Sequence, residues 1–233
     1  MSIMNVLTQQ CVLCGDSLNR SFGICDPCQQ ELPTPVNGCQ RCGIEMGPEP
    51  SACGYCGQCL SDPPAFDRCI ALCRYEYPIR ELIASFKFHA RFAEGQALAK
   101  LLAERVLNCY EPDDMPQSLL PVPLHPRRLR ERGYNQSVEL ARAVGRRCNI
   151  PIALHYCRRT RSTPSQKGLS ADERAVNLRN AFVLDQNGSA KPPRHIAIVD
   201  DVVTTMTTVN TIARMLRAAG HSRIDVICLA RVS

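Results

Sequence analysis

Apolar positions recur along this chain in two patterns, and their alternation predicts an α/β fold. Four short runs read as strands buried in a parallel sheet: 67–77, with Ile70, Leu72 and Tyr75 inward; 118–122; Ile196-Ala197-Ile198-Val199; and 224–232. Between them the spacing becomes that of amphipathic helices. Leu82, Ile83 and Phe86 follow Pro78, which suits a first helical turn. Leu98, Leu101, Leu102 and Val106 mark a helix over 92–109. Val138, Ala141, Val144 and Cys148 mark another, with Asn135 as its cap. Val209, Ile212, Ala213 and Leu216 stand at offsets of 0, 3, 4 and 7, and Gly220 stops that helix. An edge strand is expected over 151–155, and another strand over 177–184 through Phe182 and Val183. Ser170 and Glu173 have the spacing of a capping box, and Asn187-Gly188-Ser189 reads as a turn. Strand, helix and strand at the end of the chain predict one right-handed parallel unit.

The run at 196–199 ends in two carboxylates, Asp200 and Asp201, followed by Val202, Val203, Thr204, Thr205, Met206, Thr207 and Thr208. Carboxylates and threonines are thus expected in a strand-to-helix loop at the carboxyl end of a strand, where open α/β sheets bind ligands. The first amides of a helix lack internal partners and suit a phosphate. The threonine hydroxyls add donors, and ionised aspartates only accept. Side by side, the two carboxylates suit a vicinal diol, or a metal held through water. A phosphate cradle beside a diol clamp fits a ribose 5-phosphate group. The plain alternative is an ordinary strand whose aspartates cap the next helix.

Charge adds a second feature. Residues 121–170 carry eleven basic side chains against Glu131 and Glu139, a net +9 that leaves the remainder of this +6 chain at −3. Such a local excess points to an anionic ligand, pyrophosphate or nucleic acid, or else to a solvated surface. The stretch 158–169 is basic, polar and broken by Pro164 and Gly168, and reads as a mobile loop. Lys87, His89 and Arg91 read as a basic turn.

Nine of the fifteen cysteines lie within residues 1–60. Cys11, Cys14, Cys25 and Cys28 form two C-x-x-C pairs, and Cys39, Cys42, Cys56 and Cys59 form two more. Two such knuckles supply four thiolates for a tetrahedral zinc, so one or two structural zinc ions are expected. Gly15, Gly43 and Gly57 suit the tight knuckle turns. Spacing leaves sequential and cross-braced pairing both open, and Cys53 is an extra thiol. Cys69, Cys73, Cys109, Cys148, Cys157 and Cys228 sit among apolar neighbours and read as core. Apart from the recurring C-x-x-C, no internal repeat is evident. The chain divides on this reading into a cysteine-rich module, 1–62, and an α/β domain, 63–233. No run of 18 apolar residues appears, and the first residues lack the basic and apolar regions of an export signal, so cytoplasmic residence without membrane insertion is expected.

Ile196 to Thr208 resembles the thirteen-residue motif with which type I phosphoribosyltransferases bind phosphoribosyl pyrophosphate (PRPP). The resemblance implies that Asp200 and Asp201 hold the ribose hydroxyls, that Thr204, Thr205, Met206, Thr207 and Thr208 hold the 5-phosphate, and that magnesium accompanies PRPP. One position departs: Met206 stands where that family usually has glycine. A second stretch, Pro121-Val122-Pro123-Leu124 followed by Arg127-Arg128-Leu129-Arg130-Glu131-Arg132-Gly133-Tyr134-Asn135-Gln136, resembles the signature of the ComF/GntX family. With the paired C-x-x-C motifs, the likeness covers nearly the whole chain. It implies a type I phosphoribosyltransferase-like parallel sheet flanked by helices, behind a small zinc-ribbon-like module. It also implies a part in DNA uptake or processing during natural competence, with DNA-uptake proteins as partners, or in some members a part in gluconate utilisation; single-stranded DNA is the partner that the +9 segment suits. By the same resemblance, Arg127 and Arg128 face pyrophosphate or nucleic acid. Phosphoribosyl transfer to an unidentified acceptor is the alternative activity, and no acceptor base is legible.

Overall fold

The computed structural model describes residues 10–18, 23–47, 53–161, 181–185 and 193–233. Two short helices, α1 (Asp26–Gln30) and α2 (Gly57–Ser61), lie in the cysteine-rich module. Then follow β1 (Arg68–Arg74), α3 (Ile79–His89), α4 (Phe92–Leu107), β2 (Ser118–Pro121), α5 (Pro126–Arg132) and α6 (Gln136–Cys148). The chain ends with β3 (Cys157–Arg159), β4 (Phe182–Leu184), β5 (His195–Val203), α7 (Thr207–Ala218) and β6 (Arg223–Arg231). The main sheet is parallel throughout, in the order β1-β6-β5-β2.

The period of two along each strand separates two cores. Ala197, Val199, Ile227 and Leu229 face α3, α4 and α6, whereas Ile196, Ile198, Val226 and Cys228 face α7. The predicted helix stripes are the buried ones: Leu98, Leu101, Leu102 and Val106 on α4, and Val209, Ile212, Ala213 and Leu216 on α7. Asn135 caps α6 through its side chain, which accepts from the Ser137 amide.

Several expectations change. The run 151–155 forms no strand, only a single bridge from Ile152 to Leu119. Instead β3 and β4 make a separate antiparallel pair, so Arg158 and Arg159 belong to a strand rather than to a loop. Residues 162–169 of that expected loop lie outside the described residues, as do Ser170, Glu173, residues 177–180 and Asn187-Gly188-Ser189. The segment after β2 is not wholly loop, because Pro126 opens the helix α5 and His125 caps it.

The cysteine-rich module is a repeat. Antiparallel bridges Gln10–Ser17 and Gly38–Glu45 each enclose the first knuckle of a unit. Each second knuckle opens a short helix, with Cys25 and Cys56 as N-caps at ψ of 158° and 159°. Gly15 and Gly43 take φ of +80° and +69° in the first knuckles. Gly57 does not share that role, since it is the first residue of α2; Gly23, Asn37 and Gly54 hold the other left-handed turns among the described residues of the module. The first unit packs with the α3, α4 and α6 face through Cys11, Ile24 and Leu32, and the second with the α7 face through Cys39, Cys42 and Cys59.

Candidate functional site

Each unit brings its own four sulfurs together. Cys11, Cys14, Cys25 and Cys28 form one cluster, Cys39, Cys42, Cys56 and Cys59 the other, with all ligand atoms of a cluster within 4.8 Å of one another. Pairing is therefore sequential, not cross-braced. The Cys14–Cys25 and Cys42–Cys56 sulfur separations are 3.6 and 3.7 Å. A tetrahedron of bonds near 2.3 Å has edges of about 3.8 Å, so the donor sets fit zinc. Backbone amides support the leading thiol of each unit: Cys25 N–H donates to Cys11 Sγ at 3.4 Å and Cys56 N–H to Cys39 Sγ at 3.3 Å. Burial opposes ionisation of Cys11 and Cys39, yet these amides and their neighbours prevail, lowering the two thiols to about 6 and about 7.

At the carboxyl end of the sheet, β5 continues past the expected loop boundary. Asp200 and Asp201 lie within the strand, Asp200 in register with Cys228, because Val202 and Val203 go on pairing with β6. The loop is thus only Thr204, Thr205 and Met206, and α7 begins at Thr207. Thr204 and Thr205 are exposed, Thr207 and Thr208 half-buried, and the Thr205 and Thr207 hydroxyls are 2.8 Å apart. Met206 caps the helix in the left-handed region, φ 63° and ψ −4°, the conformation for which glycine is the usual residue. Its side chain is buried among the α7-face core.

The two aspartates are held differently. Asp201 is buried and bound by Lys87, whose Nζ lies 3.0 Å from Oδ1 and 2.8 Å from Oδ2. Asp200 accepts from Ser137 Oγ at 3.2 Å and from the Asp201 amide at 2.9 Å. Burial, reinforced by the Asp201 charge, pushes the Asp200 carboxyl up to about 7, although Lys87 and those hydrogen bonds pull the other way. Burial opposes the Lys87 charge, but Asp201 and then Asp200 outweigh it and raise its pKa. The last turn of α3 is fixed in place by the junction between α5 and α6: Gln136 Nε2 donates to the Lys87 carbonyl, Arg132 donates to Gln136 Oε1 at 2.7 Å, and Tyr134 Oη donates to the Phe86 carbonyl.

The arginines divide. Arg127 is exposed and held by Glu131 at 2.9 Å, an i,i+4 pair on α5. Burial disfavours the charges of Arg132 and Arg159, and half-buried Arg128 lies close enough to add to both effects, while Asp201 favours the charge of Arg132 and Asp200 that of Arg159. Arg128, Arg132 and Arg159 thus form a cationic border beside the acidic pair. Lys87 and Ser137 were absent from the sequence-based site. Lys87 lies 114 residues from its carboxylate partner. The available signal was its register, four residues after Ile83 on the buried stripe of α3.

The fold and these sites define a double four-cysteine zinc module joined to a parallel α/β domain with an acidic pair and threonine loop at its carboxyl edge. Residues 3–60 match the double zinc ribbon domain family. The chain is 35% identical to competence protein F of Haemophilus influenzae over 232 residues, 98% of this chain and 100% of that one. It is 36% identical to the DNA utilization protein YhgH of Escherichia coli over 212 residues, 90% of this chain and 91% of that one. The chain belongs to the competence protein F family, which the ComF/GntX resemblance had indicated. Among solved structures, hypoxanthine phosphoribosyltransferase from Trypanosoma cruzi aligns over 59% of this chain and 64% of that one, at 19% identity and a TM-score of 0.37. Among the described residues, no helix is long and apolar enough to cross a membrane.

Proposed function

We propose that this protein binds PRPP with magnesium at Asp200, Asp201 and the 204–208 loop, and that it acts in DNA uptake or use while contacting single-stranded DNA. The reading takes residues 1–62 as the zinc module and 63–233 as the phosphoribosyl domain. The carrying observation is the juxtaposition of two carboxylates, one held by Lys87, with an exposed threonine loop at a helix start. Vicinal hydroxyls donate to the carboxylates, and the loop amides and threonine hydroxyls receive the 5-phosphate. Arg128 and Arg159 border the side on which a second phosphate group would lie, and guanidinium forks match phosphate oxygens. Bound magnesium would neutralise pyrophosphate charge. The DNA role draws on the names of the relatives and on the basic 121–170 segment.

Calorimetry with PRPP and magnesium tests the ligand: a saturable signal is expected, lost in Asp201→Asn. No heat from wild type or from Met206→Gly would remove PRPP from the reading. A cleft of about 840 Å³, bounded by Leu124, Asn135, Leu154 and Arg159 among others, adjoins the site and favours a second reading, phosphoribosyl transfer to an acceptor. Pyrophosphate release with a panel of nucleobases tests that reading, and silence across the panel counts against it.

A further inference from the structure

Arg231, the last residue of β6, is buried and makes no ion pair with a described residue. Burying a guanidinium is costly unless its donors are satisfied. Here the donors go to carbonyls from two separate parts of the molecule. Nε donates to the Cys42 carbonyl at 3.0 Å, in the first knuckle of the second zinc ribbon. Nη1 donates to the Val203 carbonyl at 3.2 Å and to the carbonyls of Thr204 and Val232. One side chain therefore joins a metal-ligand residue to the entry of the threonine loop.

We infer that Arg231 is a positioning residue that couples zinc in the Cys39, Cys42, Cys56 and Cys59 site to anion binding at the 204–208 loop. In a trans peptide the carbonyl and the following N–H point in opposite directions. Holding the Thr204 carbonyl on Arg231 therefore turns the Thr205 N–H away from it and fixes one donor of the loop. A zinc tetrathiolate carries a formal charge of −2, and the phosphate is also an anion, so the guanidinium stands between two negative groups. Without zinc, Cys42 is no longer held, Arg231 loses an acceptor and the loop loses its anchor. Linkage makes the effect reciprocal: a ligand on the loop must stabilise this zinc. The first ribbon packs on the opposite face and serves as an internal control. The inference rests on the phosphoribosyl reading above.

The test follows zinc release into a zinc-selective chromophoric chelator, with and without PRPP and magnesium, on the full chain. In wild type, two ions leave, and PRPP slows one of them by about tenfold, within the usual range for coupled sites. In Arg231→Met, PRPP binds more weakly and release of both ions is independent of it. Arg231→Lys keeps the charge without the fork and gives partial protection. Unchanged release of the first-ribbon ion shows that a variant remains folded. Equal slowing of both ions, or undiminished protection in Arg231→Met, overturns the coupling while leaving PRPP binding intact. If wild type shows no calorimetric binding of PRPP, the phosphoribosyl reading fails first and the coupling with it.

Discussion

Met206 is a residue with two opposed demands. Its left-handed backbone costs about 1–2 kcal/mol relative to glycine, while its side chain is buried, and removing a buried methionine costs about 2–5 kcal/mol. Side-chain burial wins, so Met206→Gly should lower stability in urea by about 1–3 kcal/mol. Met206→Ala keeps the backbone strain and loses the same packing, so it should be about 1 kcal/mol less stable than the glycine variant, the reverse of the usual order in helices. An alanine variant as stable as the glycine one would show that the left-handed turn relaxes on substitution. Asp200 carries a pH dependence of definite sign. Its ordinary pKa is 3.8 and its folded value about 7, so between those values the folded chain holds a proton the unfolded chain has released. Stability therefore falls as pH rises across that window and is flat above it. A ligand that needs the ionised carboxylate behaves oppositely: PRPP affinity should rise by up to tenfold per pH unit towards about 7 and then level off. Calorimetry at pH 6 and 8 in buffers of different ionisation enthalpy should find proton release only at the lower pH. Lys87→Met removes the charge that opposes this shift and should move the plateau to higher pH.

At the scale of elements, the site depends on how α3 meets α4. Gly95 on α4 lies against Phe86, and an added Cβ there would come within 2.4 Å of the ring. Gly95→Ala must displace Phe86, the residue before Lys87, and should cost about 1–3 kcal/mol by overpacking. Denaturant titration measures that loss, and PRPP affinity should fall with it because the Lys87 turn moves. Periodicity revealed β1, β5, β6 and the long helices because each is decided by local alternation of apolar and polar residues. It carried less where neighbours decide. Asp200 and Asp201 were placed in a loop, since two carboxylates look like the end of a strand, yet pairing of Val202 and Val203 with β6 extends it. Arg158 and Arg159 looked like loop because their strand partner, Phe182 to Leu184, is distant in sequence. Lys87 looked like part of a surface turn for the same reason. Cysteine spacing revealed the metal sites but not their pairing, and the ribbon repeat is a repeat of backbone more than of residues.

The whole molecule sandwiches its sheet between two helical layers, with one zinc ribbon packed into each face. Its electrostatics are correspondingly less one-sided than the sequence implied. Net charge in 121–170 is +9, but four of its arginines already hold carboxylates: Arg127 with Glu131, Arg142 with Glu139, Arg147 with Glu104, and Arg158 with Asp185. Arg132 and Arg159 border the acidic pair. Arg128, Arg130, Arg146 and Arg161 make no ion pair with a described residue. A single strand neutralised by these four alone should show a slope of log affinity against log salt of about −3, since each released counterion contributes about −0.7. If instead all nine net charges of the segment met phosphates, the slope would be about −6. Salt-titrated gel shifts with an unstructured oligonucleotide separate the two values, and Arg130→Gln with Arg146→Gln should reduce the slope by about 1.4. A slope near zero, or one that the paired substitution leaves unchanged, would remove this surface from the proposed DNA contact.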